Sequence, residues 1–136
     1  MGETENRSTV ERLYAAMGAK DMEAILALVT DDVAWSVAGP PEIPWAGPLE
    51  GREGIAEFVK RLGGALEVEH LALDGTFADG DRVVTLGHQS GNARQSGKPY
   101  AIDFVHVWTL QDGRIQRLRV YYDTAHMVDA LRSDGG

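Results

Sequence analysis

The sequence predicts an α+β domain in which a strongly curved, mixed or antiparallel sheet packs against three helices and forms a cone. Apolar residues recur mostly at helical spacing up to residue 62, whereas they alternate with polar residues from residue 65 to residue 122. Short turns such as Asp79-Gly80-Asp81 join the strand-like segments, which makes neighbouring strands antiparallel. A strongly twisted sheet with helices on one face encloses a natural ligand site.

Two helices are predicted at the start of the chain. Residues 4 to 19 form an amphipathic helix, and Asp21 caps a second, shorter helix. The first helix presents one apolar face, made of Val10, Leu13, Tyr14 and Met17. The buried side of the second helix is expected to consist of Ile25, Leu26, Leu28 and Val29.

A short strand and a long loop follow. Trp35 and Val37 share one face of the strand at residues 33 to 37. Residues 38 to 51 are predicted to be a loop because they hold all but one of the prolines, and proline has no amide to donate to a sheet. Trp45 would anchor this loop inward. The loop is either a pocket rim or simply a connection held in place by one tryptophan.

The remaining elements are one helix, four strands and a terminal helix. The helix at 52–63 buries Phe58 and is expected to end at Gly63-Gly64. Asp123 or Thr124 is expected to cap the terminal helix. The four strands are predicted at residues 65–78, 82–91, 100–110 and 114–122.

Composition limits the classes of function. The chain has 136 residues, the size of one domain, with 43% hydrophobic residues, which suffices for one core. A formal net charge of −8 argues against nucleic acid and membrane partners. No cysteine is present, so disulfides and thiol chemistry are excluded. Because the acidic N-terminal residues are followed by no apolar run, we expect a soluble cytoplasmic protein.

His106 is the principal candidate for chemistry. It shares one face of its strand with Ile102, Phe104 and Trp108, so a lone imidazole lies among large apolar groups. An imidazole there can act as a general acid or base, or donate a hydrogen bond to a developing oxyanion. The alternative is a buried histidine whose hydrogen bonds are satisfied by a tyrosine or a backbone carbonyl.

Three further residues are candidates for assisting roles. Tyr14 and Tyr122 could donate to a substrate oxygen, and both are equally consistent with ordinary core tyrosines. Asp123 could orient His106 or a substrate at the mouth of the cone, although a helix cap is its simpler role.

Strand phase leaves two questions open. Either His88 or Gln89 should face inward, because successive strand residues point to opposite faces. Asp103 is out of phase with His106 and should lie on the outer face unless a bulge turns it inward.

The element order resembles that of the nuclear transport factor 2-like superfamily, a cystatin-like fold. The segments that carry this resemblance are residues 10–21, VERLYAAMGAKD, and the last hairpin, with its DGRI and YYDT. Within the superfamily the chain is most similar to SnoaL-like and ketosteroid-isomerase-like bacterial proteins. The resemblance covers about residues 8 to 131. It implies a homodimer formed through the outer face of the sheet.

The resemblance assigns site residues one at a time. His106 matches the pocket histidine of SnoaL-like cyclases and the position of the oxyanion-binding aspartic acid of ketosteroid isomerases. The catalytic aspartate of the cyclases falls on Val120, and the general base of the isomerases falls on Val37. The isomerase tyrosine falls on Leu13, one place before Tyr14. The Asp-Arg-Asp set of epoxide hydrolases is also absent. Its two aspartates fall on Gly87 and Val120, and its arginine falls at or beside Gln89.

Two hypotheses follow. The first is a small enzyme that needs neither cofactor nor metal and isomerises, cyclises or dehydrates an apolar, ring-containing or polyketide-like molecule, with His106, Asp123 and Tyr14 as catalytic residues. The second is a non-catalytic ligand-binding or dimerisation module, which the valines at positions 37 and 120 favour. The substrate-binding residues are expected to be Trp35, Val37, Trp45, Phe58, Gln89, Ile102, Phe104, Val120 and Tyr122.

Overall fold

The computed structural model describes residues 2–133, which form six strands and four helices and confirm the predicted α+β class. The fourth helix is the short one predicted at the end of the chain. None of the described helices is both long enough and apolar enough to cross a membrane. In chain order the elements are α1 (Glu3–Gly18), α2 (Met22–Ala27), β1 (Val29–Val37), β2 (Gly47–Glu50), α3 (Gly51–Ala65), β3 (Leu66–Asp79), β4 (Arg82–Ala93), β5 (Pro99–Gln111), β6 (Arg114–Tyr122) and α4 (Thr124–Leu131).

The six strands form one mixed sheet in the order β2-β1-β6-β5-β4-β3. The four strands from β3 to β6 are joined by hairpins and pair antiparallel, as predicted. At the turn between β5 and β6, Asp112 and Gly113 both have positive φ, as a tight hairpin turn requires. The exception to antiparallel pairing is β1, which lies parallel to β6. This pairing places Trp35 beside Leu118 and Val37 beside Val120 on the inner face.

Polar contacts hold the first helix against the turns of two hairpins, β3–β4 and β5–β6. Asn6 Nδ2 donates to the carbonyl of Gly80 at 3.2 Å, and Glu3 Oε2 accepts from the amide of the same glycine at 2.8 Å. Thr9 Oγ1 donates to the carbonyl of Gly113 at 3.2 Å. Helix α1 therefore spans the end of the sheet where the β3–β4 and β5–β6 turns lie, with Val10 and Leu13 buried beneath it.

Three predicted boundaries were wrong. The segment predicted as a loop at residues 38–51 ends in strand β2, in which Pro48 is tolerated because β2 is an edge strand. The second helix ends at Ala27, so Val29 belongs to β1 and not to the helix. Gly63 and Gly64 do not end α3, which continues to Ala65.

Close backbone approach curves the sheet at β4. A Cβ added to Gly91 would lie 2.0 Å from the carbonyl oxygen of Glu67, and one added to Gly87 would lie 2.6 Å from that of Ala72. The register between β3 and β4 also shifts twice, between residues 68 and 70 and between residues 73 and 75, and such irregularities bend a strand. The concave inner face results from these features.

We expect Gly91→Ala to destabilise the fold, because its methyl group would collide with the backbone of β3. The free energy of unfolding should fall by about 2 kcal/mol or more. Gly64→Ala is the matched control, since a Cβ there meets no atom within 4 Å and the residue lies inside α3. The control should be neutral or stabilise by up to about 1 kcal/mol. Urea unfolding of both variants measures the difference, and equal stabilities would contradict this account of the curvature.

Candidate functional site

A cavity of about 610 Å³ lies between the concave face of the sheet and helices α1 and α3. Its volume is in the range of small-molecule sites. Most of its lining is apolar and comes from every helix and from all strands except β2. The rim, where Lys20, Glu67 and Arg94 lie, is charged, whereas the interior is lined by aromatic and aliphatic side chains.

His106 lies in the wall of this cavity, on β5. Its ring stacks on Phe104, with centroids 4.1 Å apart and planes inclined by 16°. The hydroxyl of Tyr14 lies 2.5 Å from its Nδ1. Among the described residues, none forms a hydrogen bond with Nε2, and the partly exposed ring lines the cavity. One ring nitrogen is therefore held by the protein and the other is available to a ligand.

Burial determines the charge state of His106. The apolar surroundings disfavour the imidazolium and lower the pKa of His106 from 6.5 to about 3. The ring is therefore neutral at physiological pH. A neutral imidazole with such a low pKa is a weak base, but it still carries one N–H that can donate.

A buried hydrogen-bonded network extends from His106. The hydroxyl of Tyr14 lies 2.6 Å from Thr85 Oγ1, and Trp108 Nε1 donates to the same Oγ1 at 3.1 Å. Burial raises the pKa of Tyr14, so its phenol stays protonated. Thr85 and Trp108 are fully or almost fully buried. Four side chains from α1, β4 and β5 thus form one polar chain inside an apolar core.

All but one of the predicted site residues line the cavity. The inward residue of the His88 and Gln89 pair is Gln89, whose amide donates to the hydroxyl of Tyr100 at 2.8 Å. Val37 and Val120 occupy inward positions. In the enzymes that the sequence resembles, one or the other of these positions holds a carboxylate. The predicted residues found in the lining are Tyr14, Trp35, Val37, Trp45, Phe58, Gln89, Ile102, Phe104, His106, Val120 and Tyr122.

The exception is Asp123, whose predicted catalytic role the geometry does not support. Asp123 is exposed, and its Oδ1 accepts from the amide of His126 at 3.1 Å, which caps α4. Its carboxylate is engaged at a helix end and is not part of the cavity lining. Asp103 likewise lies on the outer face, in register with His88. Among the described residues that line the cavity, Glu67 at the rim is the one carboxylate.

Thr85 is the main polar residue that sequence reasoning missed. Its position in β4 alternates with Val84 and Leu86, so strand phase alone places it on the inner face with Val83. A hydroxyl at an inward position among apolar neighbours is the signal that identifies it. Several apolar lining residues were also missed, namely Met22, Leu62, Leu71 and Met127.

Two other polar atoms in the cavity wall lack a partner among the described residues. They are Nε1 of Trp35 and the hydroxyl of Tyr122, and both atoms are buried. Burial raises the pKa of Tyr122 to about 12. The indole of Trp45 offsets only part of this increase, and it forms no hydrogen bond of normal geometry with the Tyr122 hydroxyl. The Tyr122 phenol is therefore protonated at neutral pH.

Comparison with known proteins agrees with this architecture. The SnoaL-like domain model matches residues 10–118. An NTF2-like protein from Burkholderia xenovorans LB400 has a crystal structure that superposes with a TM-score of 0.90 at 26% sequence identity, covering 97% of this chain and 99% of that one. The crystal structure of TerC co-crystallised with polyporic acid superposes with a TM-score of 0.83 at 30% identity, covering 95% and 99%.

A curated relative of this chain is itself uncharacterised. The uncharacterised protein YesE of Bacillus subtilis (strain 168) is 24% identical over 127 residues, which cover 90% of this chain and 84% of that protein. Together with the family model, these matches confirm the resemblance predicted from the opening helix and the last hairpin.

We expect His106 to make the fold less stable in acid. Its pKa is about 3 in the folded chain and about 6.5 when unfolded, so only the unfolded state binds a proton between these values. The stability contributed by the neutral ring is complete above pH 6.5 and is lost as the pH falls towards 3. Between about pH 8 and pH 4.5 the loss should amount to about 2–3 kcal/mol.

Urea unfolding at these two pH values tests this expectation. His106→Leu should lose less stability on acidification than the unsubstituted protein, because leucine does not titrate. His88→Leu is the matched control for replacing a histidine by leucine, since His88 lies on the outer face beside Asp74 and does not line the cavity. Equal acid losses in the unsubstituted protein and His106→Leu would refute the buried, neutral state of His106.

Proposed function

This chain belongs to the family of SnoaL-like domains, and from that premise we propose that it binds an apolar, ring-containing or polyketide-like molecule and isomerises, cyclises or dehydrates it without a cofactor. The observation that carries the proposal is the largely apolar cavity with a neutral imidazole in its wall. A site that is apolar except for a few placed polar groups is suited to binding such a molecule and orienting it.

In this proposal His106 stabilises negative charge that develops on a carbonyl oxygen of the ligand. A C–H bond next to the carbonyl breaks, and its electron pair forms a carbon–carbon double bond. The carbonyl π electrons move to the oxygen, which accepts a hydrogen bond from the neutral imidazole. A preorganised donor in an apolar wall is worth more than one in bulk water. The released proton passes to water in the cavity.

The lining limits which carbon acids would react. No carboxylate among the described residues lines the interior, and the phenols of Tyr14 and Tyr122 stay protonated. Water is a weak base and hydroxide is scarce at neutral pH, so the C–H bond must already be acidic. A 1,3-dicarbonyl or benzylic ketone has such a bond, and polyketide-like molecules contain the former. The likeness to TerC, which was co-crystallised with polyporic acid, supports a small organic ligand.

The second candidate function is ligand binding without turnover. Val37 and Val120 favour it, because both lie in the cavity wall at positions where related enzymes carry a proton-transfer carboxylate. A binder needs only the apolar cavity and one polar group that orients the ligand. The two candidates therefore differ in whether the ligand's C–H bonds exchange with solvent.

Proton exchange in D₂O separates the candidates. We expect the protein to accelerate deuterium incorporation next to the carbonyl of 2-tetralone, an apolar bicyclic ketone with a benzylic C–H bond, as followed by NMR. His106→Leu should reduce this acceleration by about 100-fold, as expected for loss of an oxyanion donor. The rate enhancement should not change with the protonation of His106 between about pH 5 and pH 8, because its pKa is about 3.

His88→Leu is again the matched control and should retain the full rate. Binding of 2-tetralone, measured by quenching of the three cavity tryptophans, is followed in parallel for each variant. Binding without exchange would refute the enzyme proposal and favour the binder. Absence of binding by 2-tetralone, polyporic acid and other ring ketones would refute both.

We also propose that two copies associate through the outer face of the sheet, as the family resemblance implies. Leu86, Val105 and Tyr121 follow one another in register across β4, β5 and β6, and all three are exposed. Phe77 on β3, which is 58% exposed, extends the row beside Gly75. A contiguous row of this kind is typical of an interface. A second copy is the occupant that can present the same apolar row in return.

Val105→Lys tests the interface. A lysine in the middle of the row would have to be buried against a like charge in a symmetric dimer, so the variant should be monomeric while the unsubstituted protein is dimeric. Light scattering after size-exclusion chromatography gives both masses. Ala27→Lys, on the exposed face of α2, is the matched control and should not change the mass. A monomeric unsubstituted protein would refute the proposed dimer.

A further inference from the structure

The hydrogen-bonded chain behind His106 has a direction that its donors and acceptors determine. An indole nitrogen only donates, so Trp108 Nε1 must donate to Thr85 Oγ1. Thr85 is 0% exposed, and its hydroxyl proton therefore needs an acceptor within the protein. Among the described residues, the acceptor within hydrogen-bond reach is the phenol oxygen of Tyr14, at 2.6 Å.

The hydroxyl proton of Tyr14 then has one possible acceptor. Its oxygen already accepts from Thr85, so its own hydroxyl donates to His106 Nδ1. A neutral imidazole carries one proton, and Nδ1 acts as the acceptor, so the proton lies on Nε2. The reverse direction would leave the hydroxyl proton of Thr85 buried without an acceptor, which is costly.

We propose that Tyr14 is a positioning residue that holds His106 in the Nε2–H tautomer, so that the cavity presents a hydrogen-bond donor and selects ligands that carry an acceptor oxygen. Tyr14 acts through His106 and does not itself donate to the ligand. Thr85, backed by Trp108, keeps the phenol from turning its proton away from the ring. The acceptor selection rests on the proposed function, whereas the tautomer does not.

The other polar groups near His106 on the inner wall are less accessible to a ligand. Trp35 Nε1 and the hydroxyl of Tyr122 are buried, and the amide of Gln89 donates to Tyr100. A carbonyl or enolate oxygen complements the Nε2–H donor of His106, whereas a ligand whose polar atoms only donate would leave that donor without a partner.

Nitrogen NMR of ¹⁵N-histidine-labelled protein tests the tautomer without any ligand. The four histidine rings are assigned by single replacements, with His106→Leu identifying the signal of interest. At pH 7 we expect more than nine-tenths of His106 to be the Nε2–H form, with an unprotonated Nδ1 that accepts a hydrogen bond. A predominant Nδ1–H form would overturn the proposal.

Variants separate a positioning role from general packing. Tyr14→Phe keeps the aromatic ring but removes the donor, so the His106 signals should change to those of a mixture of tautomers. Thr85→Ser keeps a hydroxyl and should preserve the Nε2–H form. Unchanged His106 signals in Tyr14→Phe would overturn the positioning role. The measurement on the unsubstituted protein decides the tautomer even if neither variant folds.

A matched pair of ligands tests acceptor selection. 2-Tetralone and tetralin have the same bicyclic framework, and only the ketone carries an acceptor. We expect the ketone to bind about fivefold to tenfold more tightly, and His106→Leu to remove this preference. Equal binding of both compounds would refute acceptor selection and leave the proposed function intact. Binding of neither would refute the proposed function and acceptor selection together, whereas the NMR result for the tautomer would still hold.

Discussion

The placement of α1 across the end of the sheet is the constraint on which the rest of the site depends. Asn6, Thr9 and Glu3 hold the helix to the two hairpin turns. The same rigid helix carries Tyr14 into the cavity wall, where it meets His106. The contacts of α1 with the hairpin turns thus help to position the Tyr14–His106 contact in the interior, because all of these α1 residues lie on one continuous helix.

The electrostatics of the interior follow from burial. An isolated imidazole surrounded by apolar side chains is neutral, and its neutrality is compatible with the network of Tyr14, Thr85 and Trp108, none of which carries a charge. A buried polar group is tolerated when it is hydrogen-bonded, and these four side chains provide most of one another's hydrogen-bond partners. Within this network His106 Nε2 remains free, and the ring that carries it lines the cavity. In the proposed function the polar chain therefore serves both the stability of the core and the recognition of a ligand.

The fold and the site carry different information about function. Family membership and the structural neighbours establish the architecture, but one architecture supports several chemistries, and the residues of the site decide among them. Here the two positions expected to hold carboxylates are Val37 and Val120, which pack in the wall. Any reaction must therefore rely on stabilising charge on a ligand oxygen more than on a strong internal base. Strand alternation keeps both positions in the cavity wall, but valine occupies them in place of a carboxylate. This arrangement is consistent with either a specialised enzyme or a binder.

Periodicity in the sequence was enough to predict the class of fold, the hairpin strands and the inward face that holds Phe104, His106 and Trp108, because helix and strand periods are local properties of the chain. It also placed most of the cavity wall correctly, since a strand residue two places from a buried one is itself directed inward. The tertiary structure alone decided which distant residues meet. Tyr14 is 71 residues from Thr85 and 92 from His106, and no local pattern encodes such contacts. The parallel pairing of β1 with β6 and the edge strand that contains Pro48 likewise depend on the packing of segments that are remote or ambiguous in the sequence.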